Sequence, residues 1–267
     1  MTTNLTPDQP GFSALLQEAM TEPGSIHSAY SAFWNYSLGN QLLAFGQCHQ
    51  KGIPAGPIAT FAKWKERGRF VQKGQKAITL CQPVTVKKAV EGAEGTPEEI
   101  AFTRFVYRRS WFVMAQTEGQ SFAPAPIPSW DKSKALGILG IEEIPFEGVV
   151  NGNVWGFARG KQVAVSPLSP LPGRTLLHEI AHVVLGHTTE QDQQDGAEMP
   201  RNVREVEAEG VAFLCSAALG LDGADYSRGY LQHWLRGQPI EERTAQRIFK
   251  VADTILKAGR EAVQEAV

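Results

Sequence analysis

The chain has 267 residues, of which 42% are hydrophobic and 20% are charged, and its formal net charge is −2. This composition excludes a disordered or fibrous chain, and no apolar run approaches the roughly 18 residues of a membrane-spanning helix. Residues 1–10 are polar and lack the basic and apolar segments of a secretion signal. We therefore expect a cytoplasmic protein without membrane partners.

Charge is distributed unevenly along the chain. Residues 1–130 carry 12 Lys and Arg against 9 Asp and Glu, whereas residues 131–267 carry 14 against 19. The basic excess is concentrated between positions 63 and 88, where 8 Lys and Arg accompany a single acidic residue, Glu66. This asymmetry predicts that the first half of the chain meets an anionic partner.

The first half alternates between helical and strand patterns. Apolar residues recur at helical spacing from Phe12 to Met20 and from Ser31 to Gln50, and a short helix is predicted from Phe61 to near Gly68. The predicted strands comprise residues 69–71, 77–81, 84–86, 100–107 and 110–115. Residues 89–99, rich in Gly, Glu and Pro, predict an exposed loop. This half is thus α+β with a small antiparallel sheet.

Three prolines in alternate positions between Phe122 and Pro128 predict a linker. The elements predicted beyond it are a helix at 132–139, short strands near 141–146 and 163–165, apolar helices around 176–185 and 204–214, and an amphipathic helix at about 240–263. We predict an α+β protein of two domains, residues 1–125 and residues 126–267. The order of elements in the second domain is typical of a minimal zincin-like metallopeptidase.

Two histidines and a glutamate interrupt the apolar run from Leu176 to Leu185. His178 and His182 are at positions i and i+4 of a helix, so their imidazoles lie on one face and can bind the same cation. Glu179 lies about 100° round the helix, where its carboxylate can take a proton from a metal-bound water. The run has almost no other polar residue, which argues against a surface helix. The motif predicts a zinc-dependent hydrolase, most often a peptidase.

A second apolar helix supplies the remaining candidates. Glu205 and Glu209 are again at i and i+4, which is the gluzincin arrangement in which the first carboxylate binds zinc and the second orients a ligand histidine. Glu207 points away from that face and is predicted to be solvated. His187 does not fit the metzincin spacing and is predicted to be a helix-end residue. Zn²⁺ is the predicted metal, although Mn, Co or Ni would tolerate the same ligands.

Six segments occur in an informative order along the chain. They comprise Tyr36 to Leu43 with Gln47, Trp64 to Lys76, Gln116 to Gly119, His178 to His182, Glu205 to Leu214 and Tyr230 to Leu235. In this order they resemble the ArdC-type antirestriction proteins of mobile plasmids. The resemblance implies an N-terminal domain that binds single-stranded DNA and a C-terminal metallopeptidase domain similar to the IrrE and SprT groups. It also implies His178, His182 and Glu205 as ligands and Glu179 as general base. The apolar continuation from Val183 to His187 departs from the family's usual polar one.

The resemblance implies that the basic region of the first domain contacts DNA. Lys and Arg neutralise phosphates there, and exposed aromatic rings stack on unpaired bases. The predicted DNA-binding residues are Asn40, Trp64, Lys65, Arg67, Arg69, Lys73 and Lys76. Core packing is the alternative for Trp64, and it is favoured for Phe70. Bonding to buried backbone groups is the alternative for Asn40, and it is the expected role of Gln47. The predicted partner is single-stranded DNA, with double-stranded DNA as a further candidate.

Three functions fit these patterns. The first is a plasmid-type antirestriction protein that binds single-stranded DNA and carries a zinc-dependent peptidase site for an unknown protein substrate. The second is an IrrE-like regulatory peptidase that cleaves a repressor, and the third is a DNA-masking protein with a non-catalytic zinc site. A structural zinc site normally has four protein ligands, so three ligands beside a base favour an enzyme. We therefore predict a zinc metallopeptidase.

Overall fold

The computed structural model describes residues 10–91, 97–147, 154–188, 201–235 and 238–261. Its helices and strands confirm the α+β fold class. Contacts within the chain define two compact units. Unit 1 comprises Leu43–Phe122, and unit 2 combines Pro10–Leu42 with the chain from Ala123 onwards. No helix in the described ranges is both long and apolar enough to cross a membrane.

Unit 1 is built on two small antiparallel sheets. Its elements are the end of α3 (Leu38–Lys51), β1 (Ile58–Thr60), α4 (Phe61–Glu66), β2 (Arg69–Val71), β3 (Ile78–Glu91), β4 (Pro97–Val113) and β5 (Thr117–Gly119). One sheet has the strand order β1-β4-β3, and the other pairs β2 with β5. Buried side chains from α4, β3 and β4, including Trp64, Ile78 and Trp111, form the core of this unit.

Strands β3 and β4 form a longer hairpin than the sequence predicts. The predicted strands at 77–81 and 84–86 join into one, and pairing continues to Glu91 and Pro97 inside the predicted loop, whose residues 92–96 lie outside the described residues. Pro83 does not interrupt β3, because β3 is at the edge of its sheet, where a missing N–H need not break a ladder bond. The strand break predicted at Pro83 is therefore absent, because the edge position of β3 tolerates a proline.

Gln47 joins α3 to the start of β3. Its amide nitrogen donates to the Leu43 carbonyl at 2.9 Å and to the Thr79 carbonyl at 2.7 Å, and its Oε1 accepts from the Thr79 N–H at 2.9 Å. The β3–β4 register shifts between Ile78 and Thr79, and the Gln47 amide bonds the Thr79 backbone at this irregularity. The predicted backbone role of Gln47 is confirmed.

Replacement of Gln47 by leucine should destabilise the protein by about 1–3 kcal/mol, because the Thr79 N–H and carbonyl lose their partner in a buried setting. Urea unfolding followed by circular dichroism measures this loss. Gln50→Leu is the matched control, since Gln50 is on the same helix but exposed. Equal midpoints for the two variants would contradict the structural role of Gln47.

Unit 2 packs helices around a central helix and adds a small mixed sheet. Its elements are α1 (Phe12–Thr21), α2 (Ser25–Phe33), the start of α3, α5 (Lys132–Leu139), β6 (Glu142–Glu143), β7 (Gly156–Arg159), β8 (Gln162–Val165), α6 (Pro172–Val184), α7 (Arg201–Leu219), α8 (Ala224–Leu235) and α9 (Glu242–Gly259). The strand order is β6-β8-β7, with β6 parallel and β7 antiparallel to β8. Helix α7 contacts α2, α6, α8 and α9. A Cβ at Gly210 would lie 2.8 Å from Ile248, so this glycine permits the close approach of α7 and α9.

The N-terminal helices belong to unit 2, although the predicted boundary places residues 1–125 in one domain. The ring of Phe12 packs against Phe249 at 5.3 Å, and Ser13 donates to the Ile240 carbonyl at 2.5 Å. The predicted single helix from Ser31 to Gln50 is two helices, α2 and α3. The other change of unit, between Phe122 and Ala123, falls at the start of the predicted Pro-rich linker.

Candidate metal centre

Helix α6 brings the two histidines of the motif together. Pro172 stands in its first turn, where a missing N–H costs no helical bond, and the helix continues through Val184. The Nε2 atoms of His178 and His182 lie 3.1 Å apart, and both side chains are about 15% exposed. The helical spacing predicted from the sequence thus places both imidazoles at one point.

Helix α7 adds a carboxylate at the same point. The Oε2 atom of Glu205 lies 3.6 Å from His178 Nε2 and 3.9 Å from His182 Nε2. The three residues offer a group of ligand atoms within 4.8 Å of one another. A tetrahedral Zn²⁺ with bonds of about 2.0–2.2 Å needs ligand atoms about 3.3–3.5 Å apart. The donor set therefore fits a divalent transition metal.

The protonation of the two histidines also fits a cation. Burial disfavours the imidazolium of His178, but the carboxylates of Glu205 and Glu209 outweigh it and raise the pKa of His178 to about 9. Burial and the charge of His178 lower the pKa of His182 to about 4. Neighbouring charges thus move the pKa values of the two imidazoles in opposite directions, and a bound metal would compete with protons for their nitrogens.

Glu179 lies beside this donor set and is 7% exposed. Burial raises the pKa of its carboxyl to about 7, against the charge of His178. Strand β7 passes close to it, since a Cβ on Gly156 would lie 2.9 Å from Glu179 Oε1. Any side chain at position 156 would therefore displace the Glu179 carboxylate. The geometry leaves Glu179 in a confined, poorly solvated position suited to a general base.

Glu209 lies beside Nδ1 of His178, the ring nitrogen that does not face His182. Its Oε2 atom lies 3.2 Å from His178 Nδ1, and Arg174 donates to the same oxygen. Burial opposes ionisation of Glu209, but its contacts with His178 and Arg174 lower its pKa to about 2. Arg174 is itself held by a 3.1 Å bond to Ser227 Oγ. Glu209 thus lies within 3.2 Å of His178 Nδ1 but outside hydrogen-bond geometry. A proton donated from Nδ1 to this carboxylate would leave Nε2 for the metal.

A second chain of contacts holds His182 and was not predicted. His182 Nδ1 lies 3.0 Å from His187 Nδ1, and His187 Nε2 lies 3.0 Å from Glu207 Oε2. Arg247 of α9 donates to the same Glu207 oxygen at 3.1 Å. The prediction of a solvated Glu207 is wrong, since its side chain is 2% exposed. His187 follows the end of α6, as predicted, and its N–H donates to the His182 carbonyl at 2.9 Å, but its side chain is also only 2% exposed. Glu207 points away from Glu205, as expected, but α9 covers that face.

Disruption of this second chain should weaken metal binding without removing a ligand. Glu207→Leu removes the acceptor for His187, which frees the His182 ring to turn, and the expected loss in Zn²⁺ or Mn²⁺ affinity is about 10- to 100-fold. Competition with a chromophoric chelator measures the dissociation constant. Glu207→Gln keeps an acceptor oxygen and should retain most of the affinity. Equal affinity for wild type and Glu207→Leu would contradict this role.

Comparisons with known proteins agree with this architecture. Residues 16–111 match the family model of the N-terminal domain of anti-restriction factor ArdC. The metal-free crystal structure of the antirestriction ArdC protein from plasmid R388 aligns with a TM-score of 0.51 and 18% identity, over 93% of this chain and 94% of that chain. The chain has the ArdC fold. The Mn(II)-bound structure of the same R388 protein aligns with a TM-score of 0.53 and 19% identity, over 93% and 97%. No curated protein sequence matches.

The resemblance to ArdC that the sequence segments predict is therefore confirmed. The ArdC N-terminal family match runs from α1 to β4, so it includes helices that pack in unit 2 as well as the sheet of unit 1. The structural alignment with the R388 protein covers 93% of this chain. The identity is low, so the fold is shared while the roles of individual residues are argued from the geometry of this chain.

The predicted DNA-binding residues of the ArdC-like half fall into four groups, of which the buried Trp64 is the last. Lys65, Arg67, Lys73 and Lys76 are exposed in unit 1. Arg69 is half-buried and bonded to Thr117 Oγ1 at 2.8 Å and to the Thr117 carbonyl at 3.0 Å, so its guanidinium fixes β2 to β5. Asn40 belongs to unit 2, so the structure does not group it with the others.

Trp64 cannot stack on a base in this structure. Its side chain is fully buried, and its Nε1–H donates to the Phe112 carbonyl at 2.8 Å. Only one face of the short helix α4 packs against the sheet, and Trp64 occupies it between the exposed Lys63 and Lys65. The expectation for Phe70 is also wrong, because this ring is 52% exposed and not packed in the core.

Proposed function

We propose that this chain is an ArdC-type antirestriction protein that binds single-stranded DNA through unit 1 and carries a Zn²⁺-dependent peptidase site in unit 2. The observation that carries the peptidase assignment is the convergence of His178, His182 and Glu205 beside the buried Glu179. The match to the ArdC N-terminal domain supports the DNA-binding assignment. Mn²⁺ is the alternative metal, since the R388 ArdC protein has a Mn(II)-bound structure.

A metal held by His178, His182 and Glu205 would supply a Lewis acid able to polarise a carbonyl and to make a water molecule acidic near neutral pH. Glu179 accepts the proton of the attacking water and delivers it to the leaving amine. Glu209 and His187 lie beside the Nδ1 atoms of the two imidazoles, which leaves Nε2 of each ring for the metal. The site has three protein ligands and an adjacent base, whereas a structural zinc site normally has four protein ligands. This supports catalysis over a non-catalytic DNA-masking role.

Strand β7 supports a peptide as the substrate. Among the described strands it pairs only with β8, so its other edge can receive an extended chain by backbone pairing. The same strand lies against Glu179 at Gly156, so a peptide bond in such a chain would pass beside the base. Val154 and Trp155, which precede β7, are 56% and 38% exposed and offer apolar contacts to substrate side chains.

Two measurements test the proposed function separately. The first incubates the Zn²⁺- or Mn²⁺-loaded protein with a mixed peptide library, with and without single-stranded DNA, and identifies cleaved bonds by mass spectrometry. We expect cleavage that chelators abolish. The second measures binding of fluorescent single-stranded and double-stranded oligonucleotides across a salt series, because a phosphate-dominated interface weakens steeply with salt.

The outcomes separate the candidate functions. Tight single-stranded DNA binding without cleavage of any peptide would leave a DNA-masking protein and remove the peptidase assignment. Cleavage without DNA binding at low salt would favour the regulatory peptidase of the IrrE kind. Protection of an incoming unmodified plasmid in a restricting host tests antirestriction itself, with an empty vector as the control.

A further inference from the structure

The hairpin of β3 and β4 in unit 1 has a face that the predicted DNA-binding set does not include. Strand β1 pairs with β4 only at residues 111–113, and beyond that point the described ladder has two strands. Residues directly opposite each other in an antiparallel pair share a face, as do residues two apart along a strand. Arg109, Tyr107 and Phe105 are thus on one face, opposite Thr79, Cys81 and Pro83 respectively.

The aromatic side chains on this face are accessible. Phe105 is 56% exposed, which makes it the most exposed large aromatic side chain of unit 1 among the described residues. Tyr107 is half-buried beside it. Two residues along a strand span about 7 Å, so the rings form a short row rather than a stacked pair. One exposed Phe alone would carry no meaning, since surface hydrophobic residues are common.

The charged residues of the hairpin indicate which kind of partner the aromatic row fits. The charged residues among the described side chains of the hairpin are all basic, namely Lys87, Arg104, Arg108 and Arg109. Glutamates occur in the hairpin sequence only at positions 91, 94, 98 and 99, towards its tip. A partner with negative charge and flat apolar groups is therefore favoured along the two-stranded part and disfavoured at the tip. Single-stranded nucleic acid has both properties, whereas the bases of a duplex are covered by stacking.

We propose that the Phe105 and Tyr107 face of the β3–β4 hairpin is the base-stacking surface for single-stranded DNA. Arg109 and Lys87, which lie on the same face at either end of the aromatic row, are then beside the phosphates. This inference rests on the proposed DNA binding and gives it a location. It replaces Trp64 as the stacking residue, because that indole is buried. The exposed lysines of the predicted set then add charge without stacking.

Substitution of Phe105 tests the stacking role. Phe105→Ala should weaken binding of a single-stranded oligonucleotide by about tenfold, within the range of stacking losses for a single base. Phe70→Ala is the matched control, because Phe70 has almost the same exposure, 52%, in the same unit. An oligonucleotide with a run of abasic sites removes the bases and keeps the phosphates. Wild type should discriminate against it, and Phe105→Ala should discriminate much less.

The charge contribution has its own readout. Lys87→Gln should lower the slope of log affinity against log salt by about one phosphate contact, because Lys87 shares the face of Phe105, whereas Phe105→Ala should leave that slope unchanged. Unaltered affinity and abasic discrimination in Phe105→Ala, with a wild type that binds, would overturn the location and leave the proposed DNA binding intact. Equal binding of duplex and single strand would overturn stacking. Absence of binding by wild type would overturn both the location and the proposed DNA binding.

Discussion

Replacement of His178 by alanine is expected to lower the affinity for Zn²⁺ or Mn²⁺ by about 100-fold or more. His178 contacts both other ligand residues, with Nε2 atoms 3.1 Å apart and Glu205 at 3.6 Å. Structural Zn²⁺ sites bind with about 10–16 kcal/mol from four ligands, so one ligand contributes roughly 3 kcal/mol, or about 100-fold. The variant also leaves Glu209 without its imidazole partner. Competition with a chromophoric chelator measures the affinity.

His233→Ala is the matched control for this experiment. His233 lies on helix α8 in the same unit but is exposed, so its removal should leave the affinity unchanged. Metal should raise the melting temperature of wild type and of His233→Ala, because a ligand that binds only the folded state stabilises it. His178→Ala should show little shift. Wild-type affinity in His178→Ala would show that the metal binds elsewhere.

The arrangement of the metal centre follows from local sequence rules. His178 and His182 need only a helix of regular pitch to converge, and the apolar run around them makes that helix easy to identify. Glu205 and Glu209 follow the same rule on α7. The one requirement that the sequence does not state is that α6 and α7 pack against each other. Gly210 indicates close packing of α7, but in the structure it faces Ile248 of α9 and not α6.

The contacts around His182 could not be predicted, because they depend on a third helix. Glu207 is solvated or buried according to what covers the opposite side of α7, and that cover is Arg247, 40 positions later in the chain. A run of alternate glutamates looks the same in both cases. The spacing of His187, five positions after His182, is informative only once the turn after α6 is known to fold back.

The assignment of helices to units was limited in the same way. Helices α1 and α2 have apolar faces, but the sequence does not state which unit those faces contact. In the structure α1 packs against α9, where Phe12 contacts Phe249, and α2 packs against α7. Trp64 is a different case, because a residue predicted to contact DNA is buried. Its charged neighbours suggest a surface, but one face of a six-residue helix is enough to bury a ring whose N–H finds a backbone carbonyl 48 positions away.

Replacement of Glu179 by glutamine is expected to reduce peptide cleavage by about 100- to 10,000-fold, which is the usual contribution of a general acid–base residue. Glutamine fills the same confined space beside Gly156 but cannot accept a proton, and Glu179 lies outside the donor set of His178, His182 and Glu205. Metal affinity should therefore stay within a few-fold of wild type. The measurement is the initial rate of cleavage at saturating metal, with the affinity determined in parallel.

The paired readouts decide what Glu179 does. Glu241→Gln is the control for loss of a carboxylate, since Glu241 is exposed in the same unit. Lost cleavage with retained metal would assign the proton transfer to Glu179. If metal affinity fell together with cleavage, Glu179 would act through the metal site and not as a base. Cleavage at the wild-type rate would place the chemistry on another group, because no amide can replace a carboxylate as a proton acceptor near neutral pH.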